Sequence, residues 1–164
     1  MIKNFFDTGK NWGVKIKYIK ENLPLGTAGS LSLLDPKPKF PFIVCNGDVV
    51  SEIRFKKLLD FHVKNRAVAT MAVKPHEVRN PYGVVQTNGN AIVDLKEKPI
   101  SRSYINAGVY VFDPIVLKYL NKNKVLDMNI LFQDLIKKSK KVLAYTAYEN
   151  WFDIGRPSDL KKIN

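Results

Sequence analysis

The chain has 164 residues, 45% of them hydrophobic, with 27 Lys and Arg against 15 Asp and Glu, giving a formal net charge of +12. That length carries one cored domain spanning 1–164, and the charge favours anionic partners: phosphorylated metabolites, nucleic acid or an acidic membrane surface. No apolar run reaches membrane-spanning length, and the single cysteine, Cys45, excludes an intrachain disulfide. Cys45 lies in an apolar stretch and reads as a buried, inert thiol in a reducing compartment, and Met1–Asp7 has no signal-peptide core, so a cytoplasmic location is expected.

In chain order, residues 2–7 read as the end of an amphipathic helix closed by Asp7-Thr8-Gly9. Val14–Ile19 alternates apolar and polar, which predicts a half-buried strand. Glu21–Gly29 holds Pro24, Gly26 and Gly29 and reads as a loop, with Thr27 placed to cap a helix over 28–35. Phe42–Asn46 is an apolar strand stopped by Asn46-Gly47, with Asp48 in the turn beyond. Ligands gather outside the carboxyl ends of strands in open α/β sheets, where a carboxylate holds a hard cation beside phosphate. The plainer alternative for Asp48 is a turn residue or helix cap.

Phe55–Asn65 has helical spacing, with Phe55, Leu58, Leu59 and His62 on one stripe. Ala67–Val73 is a near-continuous apolar strand, as expected where both sheet faces are covered. The alternation of strands and helices implies parallel crossovers. Tyr82–Thr87, Asn88-Gly89-Asn90 and Ala91–Pro99 form a hairpin signature. Ile105–Phe112 is a further strand, Asp113-Pro114 starts a helix to about residue 121, and Ile130–Ile136 marks another. Val142–Thr146 is a strand, Trp151–Pro157 leads out of it, and Ser158-Asp159-Leu160 opens a last helix. The lysines are dispersed, with no helix face concentrating Lys and Arg and no aromatic ladder among basic residues, so a nucleic-acid partner is not expected, nor is a membrane.

Five segments then stand in a telling order: Leu25-Gly26-Thr27-Ala28-Gly29; Asn46-Gly47-Asp48; Tyr82-Gly83-Val84-Val85 with Glu97-Lys98-Pro99; Asn106-Ala107-Gly108-Val109-Tyr110; and Trp151-Phe152-Asp153-Ile154-Gly155. Together they resemble the sugar-phosphate nucleotidyltransferases, and within them the hexose-1-phosphate guanylyltransferase branch. The resemblance implies a Rossmann-like α/β fold with a mixed, mostly parallel sheet and helices on both faces. It implies nucleotide transfer from an NTP, GTP favoured, to a sugar-1-phosphate, with release of pyrophosphate. It implies that Asp48 and Asp153 ligate Mg²⁺ on the nucleotide phosphates, and that Lys98 grips the sugar phosphate. Glu97, Asn106, Gly83 and Gly108 would contact the sugar, Glu21 would read the base edge, and Gly26 and Thr27 would hold base or ribose. A carboxylate at Glu21 accepts from the adjacent N1–H and N2–H donors of guanine.

The chain departs from the family pattern in lacking the N-terminal strand and its G-x-G-T-R-L triphosphate loop. In the family that strand lies beside the one matching 42–46. Its absence predicts an apolar sheet edge covered by the 14–19 strand, by a second copy of the chain, or by a separate N-terminal piece. The same gap leaves a catalytically impaired, nucleotidyltransferase-like binding or regulatory module as the alternative function, and a basic nucleic-acid binder as a third.

Overall fold

The computed structural model describes residues 1–155 and Asp159. In chain order the elements are α1 (Ile2–Phe6), α2 (Gly26–Gly29), β1 (Phe42–Cys45), β2 (Val49–Ser51), α3 (Phe55–Lys64), β3 (Ala69–Arg79), β4 (Val84–Asn88), β5 (Ala91–Lys96), β6 (Ile100–Phe112), α4 (Met128–Lys137), β7 (Val142–Thr146) and β8 (Trp151–Asp153). Three 3-10 turns, Lys10–Trp12, Ser30–Leu33 and Pro114–Tyr119, fill out the helical segments. The helix expected from Ser158 lies outside the described residues, apart from Asp159.

The chain divides into two compact units: Met1–Phe40 with Pro114–Lys140, and Pro41–Asp113 with the chain from Lys141 onward. The second unit holds a four-stranded sheet in the order β1-β6-β3-β7. β6 is antiparallel to both β1 and β3, and β7 is parallel to β3. β1, β3 and β7 therefore point one way and β6 opposes them, which gives a mixed sheet with three of its four strands in one direction. The crossover through α3 does join two strands of the same direction, but β6 lies between them. A strand arriving later in sequence takes the central slot because its second half, Ala107–Phe112, is buried throughout.

β3 and β6 both run past the sheet. Residues 74–79 of β3 pair only with 100–105 of β6, and this ribbon is mostly exposed. Its polar residues hide it from a reading based on apolar runs, which ends the two strands at 73 and 105. β4 and β5 form the expected hairpin, closed by Gly89 with φ +59°. The core of this unit gathers Ile53, Leu58, Ala72, Ala107, Val109, Val111 and Ala147, with Ile43, Val49 and Trp151 packed on it.

α3 buries Leu58 and His62, whereas Phe55 on the same predicted stripe is exposed at its first turn. Between α3 and β3, His62 Nδ1 sits 2.8 Å from Thr70 Oγ1, so the buried imidazole and hydroxyl satisfy each other. Cys45, expected in the core, is exposed. β1 is an outer strand, hydrogen-bonded on one side only among the described residues, and Cys45 is its last position before the turn.

In the first unit the predicted strand at 14–19 is not a strand. Residues 15–21 are irregular, tied down by Ile16 N–H to Thr8 O and by the Tyr18 hydroxyl to Asp7 O. Apolar alternation specifies a face, but a strand also needs a neighbour for its backbone, and no strand in the described residues pairs with this segment. The helix predicted over 28–35 is a single α turn followed by a 3-10 turn. The segment after Asp113-Pro114 is likewise 3-10.

Candidate active site

Asp48 and Asp153, distant in sequence, are brought together by a two-stranded ribbon. β2 pairs antiparallel with β8, setting Val49 opposite Asp153 and Ser51 opposite Trp151. One step further along, Asp48 O accepts the Ile154 N–H at 2.9 Å. The Gly155 N–H donates to Asp153 Oδ1 at 3.0 Å, which folds the chain back over that carboxylate. A Cβ placed at Gly155 would lie 3.2 Å from Asp153 Oδ1 and 3.5 Å from Asp48 Oδ2, so one oxygen of each carboxylate borders the same small space.

Two acidic oxygens beside one backbone turn suit a hard cation that takes part of its coordination from the ligand. Among the described residues there is no group of three or more His, Cys, Asp or Glu side chains that could hold a metal ion unaided. The donor set fits Mg²⁺ carried with phosphate oxygens and does not fit a closed structural metal cage.

Asn106 and Gly108 lie directly behind the Asp48 loop. Asn46 N–H donates to Gly108 O at 2.8 Å. Asn106 Oδ1 accepts the Gly108 N–H at 2.9 Å, and its Nδ2 donates to the Tyr110 hydroxyl at 2.8 Å. Burial holds the Tyr110 phenol above its ordinary pKa, against the opposing pull of the Asn106 hydrogen bond, so the ring oxygen stays protonated at neutral pH. Gly108 has φ +69°, and a Cβ there would meet Val49 Cγ2 at 2.9 Å and Asn46 Nδ2 at 3.0 Å. Both the backbone conformation and the space demand glycine.

Gly83, Glu97 and Lys98 form a separate exposed group on the β4–β5 hairpin. A Cβ at Gly83 would sit 3.0 Å from Glu97 Oε2, and Lys98 Nζ pairs loosely with Glu97 Oε1 at 4.0 Å. Lys98 has φ +45°, which turns the chain sharply between β5 and β6. The described ion pair of Lys98 is with Glu97 and not with Asp48 or Asp153.

Glu21, Gly26 and Thr27 belong to the other unit. Glu21 Oε2 accepts the Leu25 N–H at 2.9 Å, which closes the loop before α2. Thr27 does not cap the helix that follows it. Its Oγ1 accepts the Met128 N–H at 2.7 Å and so caps α4, 101 residues further on. Its own N–H reaches Asp127 Oδ1 at 3.3 Å, and the amides of Ala28 and Gly29 donate to Leu126 O. Gly26, with φ +74°, packs against Leu126 and Asp127, where a Cβ would come within 2.6 Å of Asp127 Oδ1.

Sequence reasoning passed over Trp151 and Tyr110 as site components. Trp151 Nε1 donates to Ala107 O at 2.8 Å, joining β8 to β6. Their only signal was membership of the segments around Asn106 and Asp153.

The nucleotidyl transferase family model matches residues 1–164. A mannose-1-phosphate guanyltransferase of Yarrowia lipolytica is 32% identical over 166 residues, covering 97% of this chain and 46% of that protein. The Saccharomyces cerevisiae protein of the same name is 31% identical over 167 residues, covering 97% of this chain and again 46% of the relative. A crystal structure from Bacillus anthracis in complex with sucrose superposes with a TM-score of 0.74 at 21% identity, covering 99% of this chain and 69% of that one.

A fold with two converging acidic turns, matched along its whole length, defines the class: the chain belongs to the nucleotidyl transferase family. Its curated relatives include mannose-1-phosphate guanyltransferases, the branch that the motif order resembles, and the fold is that of the nucleotide-diphospho-sugar transferases. The chain spans less than half the length of those curated relatives. No helix among the described residues is long and apolar enough to cross a membrane.

Proposed function

We propose that this protein acts as a sugar-1-phosphate nucleotidyltransferase, with GTP as the favoured nucleotide and a hexose-1-phosphate as acceptor. A phosphate oxygen of the sugar-1-phosphate attacks the α-phosphorus of the NTP. The bond to the β-phosphate breaks, and pyrophosphate leaves as the NDP-sugar forms. The observation that carries this reading is the shared border of Asp48 and Asp153 at Gly155. Such transfers depend on positioning and charge neutralisation rather than on covalent chemistry from the protein.

Asp48 and Asp153 would hold Mg²⁺ on the nucleotide phosphates, where the ion supplies charge neutralisation and a template for the phosphate oxygens. Lys98 would bring its ammonium to the sugar phosphate, exchanging its loose contact with Glu97 for a stronger anion. Glu97, freed of that contact, would accept hydrogen bonds from sugar hydroxyls. Gly83 would let the hairpin backbone approach the ring, and Gly108 would do the same from β6. Asn106 would offer its second Nδ2 hydrogen to a sugar hydroxyl, the first being held by Tyr110. Glu21, Gly26 and Thr27 would contact the nucleoside, the Glu21 carboxylate being oriented by Leu25 N–H. A reducing, cytoplasmic setting suits such substrates, and a second copy or a further polypeptide along β1 would complete the sheet edge.

The test is thermal stabilisation by a panel of NTPs and NDP-sugars with and without Mg²⁺, since a ligand selective for the native state raises apparent stability. GTP and GDP-hexoses should give the largest Mg²⁺-dependent shift, and Asp48→Asn and Asp153→Asn should abolish it. Release of pyrophosphate from GTP and a hexose-1-phosphate separates turnover from binding alone. If both variants respond like the parent chain, the reading is wrong.

A further inference from the structure

β6 is not regular where it backs the two acidic turns. Against β3 its register slips: Met71 faces Tyr110 and Val73 faces Asn106, leaving Ala107, Gly108 and Val109 opposite Ala72 alone. Such a bulge re-aims backbone groups that a regular strand would spend on its ladder. Here Ala107 O is diverted in this way, while Gly108 O continues the β1–β6 ladder one step beyond the Cys45–Val109 pair. Ala107 O accepts the indole N–H of Trp151, and Gly108 O accepts the amide of Asn46, both at 2.8 Å.

Each acceptor holds a segment two residues short of an acidic side chain. Asn46 precedes Asp48, and Trp151 precedes Asp153. The bulge itself is held from within, by Asn106 Oδ1 on the Gly108 amide and Asn106 Nδ2 on the Tyr110 hydroxyl. Tyr110 is buried, and Gly108 fills the space beside Asn46 and Val49 to contact.

We propose that the Asn106–Val109 bulge is a gauge: its adjacent carbonyls fix how far apart Asp48 and Asp153 stand, which makes Asn106, Tyr110 and Trp151 positioning residues for whatever the two carboxylates grip. The functional meaning rests on the reading under Proposed function, but the bracing is measurable without any ligand. Tyr110→Phe keeps the ring and removes the Asn106 partner. Trp151→Phe removes the indole donor and keeps an aromatic side chain.

Amide hydrogen exchange on the full chain reads the brace. The Asn46 and Ile154 amides, bonded to Gly108 O and Asp48 O, should exchange about tenfold faster in each variant, the scale of one lost hydrogen bond. The Leu58 and Ala147 amides, bonded to Arg54 O and Val73 O, should be unchanged. No change at Asn46 and Ile154, or equal acceleration at all four amides, overturns the proposal. The two variants break different bonds, so misfolding of one leaves the other to decide.

Mn²⁺ titration with GTP, followed by water proton relaxation, reads the consequence. Both variants should bind about tenfold more weakly, in step with the lost bond, whereas Tyr104→Phe, on the exposed ribbon, should bind like the parent. Altered exchange with unaltered Mn²⁺ affinity overturns the gauge. A parent chain that binds no Mn²⁺ with GTP refutes the functional reading instead, and the exchange pattern then judges the brace by itself.

Discussion

The carbonyl of Asp48 accepts the Ile154 amide hydrogen at 2.9 Å, so the turn that carries one acidic side chain is stitched to the residue following the other. That single bond extends the β2–β8 pairing by one step and leaves Gly155 between the two carboxylates. Gly155→Ala would place a methyl 3.2 Å from Asp153 Oδ1, a contact that forces the oxygen aside. Gly155 is exposed, so the fold should hold within about 0.5 kcal/mol by urea denaturation. Mn²⁺ binding in the presence of GTP should weaken clearly in the same variant.

Cys45 offers a probe of Asp48 that does not depend on activity. Partial burial of the thiol, and next the Asp48 charge, push its pKa above the usual thiol value of 9.0. Only the thiolate is nucleophilic, so alkylation of Cys45 at pH 8 should be slow. Asp48→Asn removes the repelling charge, lowers the thiol pKa and should speed alkylation at the same pH. Equal rates in the parent and variant would mean that the Asp48 charge is not felt at the sulfur.

Thr27 is best tested as a cap. Thr27→Ala removes the acceptor for the Met128 amide at the start of α4 and should cost about 1 kcal/mol of stability, whereas Thr27→Ser should restore most of it. Chemical denaturation of the three proteins measures this directly. If Thr27→Ala matched the parent in stability but lost nucleotide binding, the residue would serve the ligand alone.

That cap also marks how far the sequence could be read. Patterns that act over a few residues were legible: the Asn88-Gly89 hairpin, the α3 stripe through Leu58 and His62, and the α4 segment all form where expected. Thr27 reads as a capping residue, but which helix it caps depends on a contact across 101 positions, which no local pattern encodes. Val14–Ile19 has the rhythm of a strand and lacks a pairing partner, and Cys45 has apolar neighbours yet ends an outer strand. In the site, the motif order singled out Asp48, Asp153, Asn106 and Gly108, and the fold brings these together. It gave no hint that Trp151 and Tyr110 hold the bulge, since a register slip is a property of two strands and not of one.

His62 makes stability depend on pH. Burial lowers its pKa below 6.5, with the Asp113 charge opposing but not reversing the shift. The native imidazole is therefore neutral and bonded to Thr70, while the unfolded chain takes up a proton as pH falls through about 6.5. The unfolded state then binds more protons, so stability is full above that pH and is lost progressively below it, down to the lowered native value. Urea midpoints measured from pH 7.5 to 5 should fall for the parent chain. Replacing His62 by Gln should flatten that dependence, at some cost in stability at every pH.

The outer position of β1 sets a balance between two colloidal forces. Among the described residues it is hydrogen-bonded on one side only, which leaves backbone groups available to another strand, and its Phe42, Ile43 and Val44 side chains are only half-buried. The +12 charge holds molecules apart while its field reaches beyond the surface. Salt shortens that reach to about 3 Å at 1 M, so light scattering should rise with ionic strength even where the fold is intact. A single lysine in place of Val44 should postpone that onset.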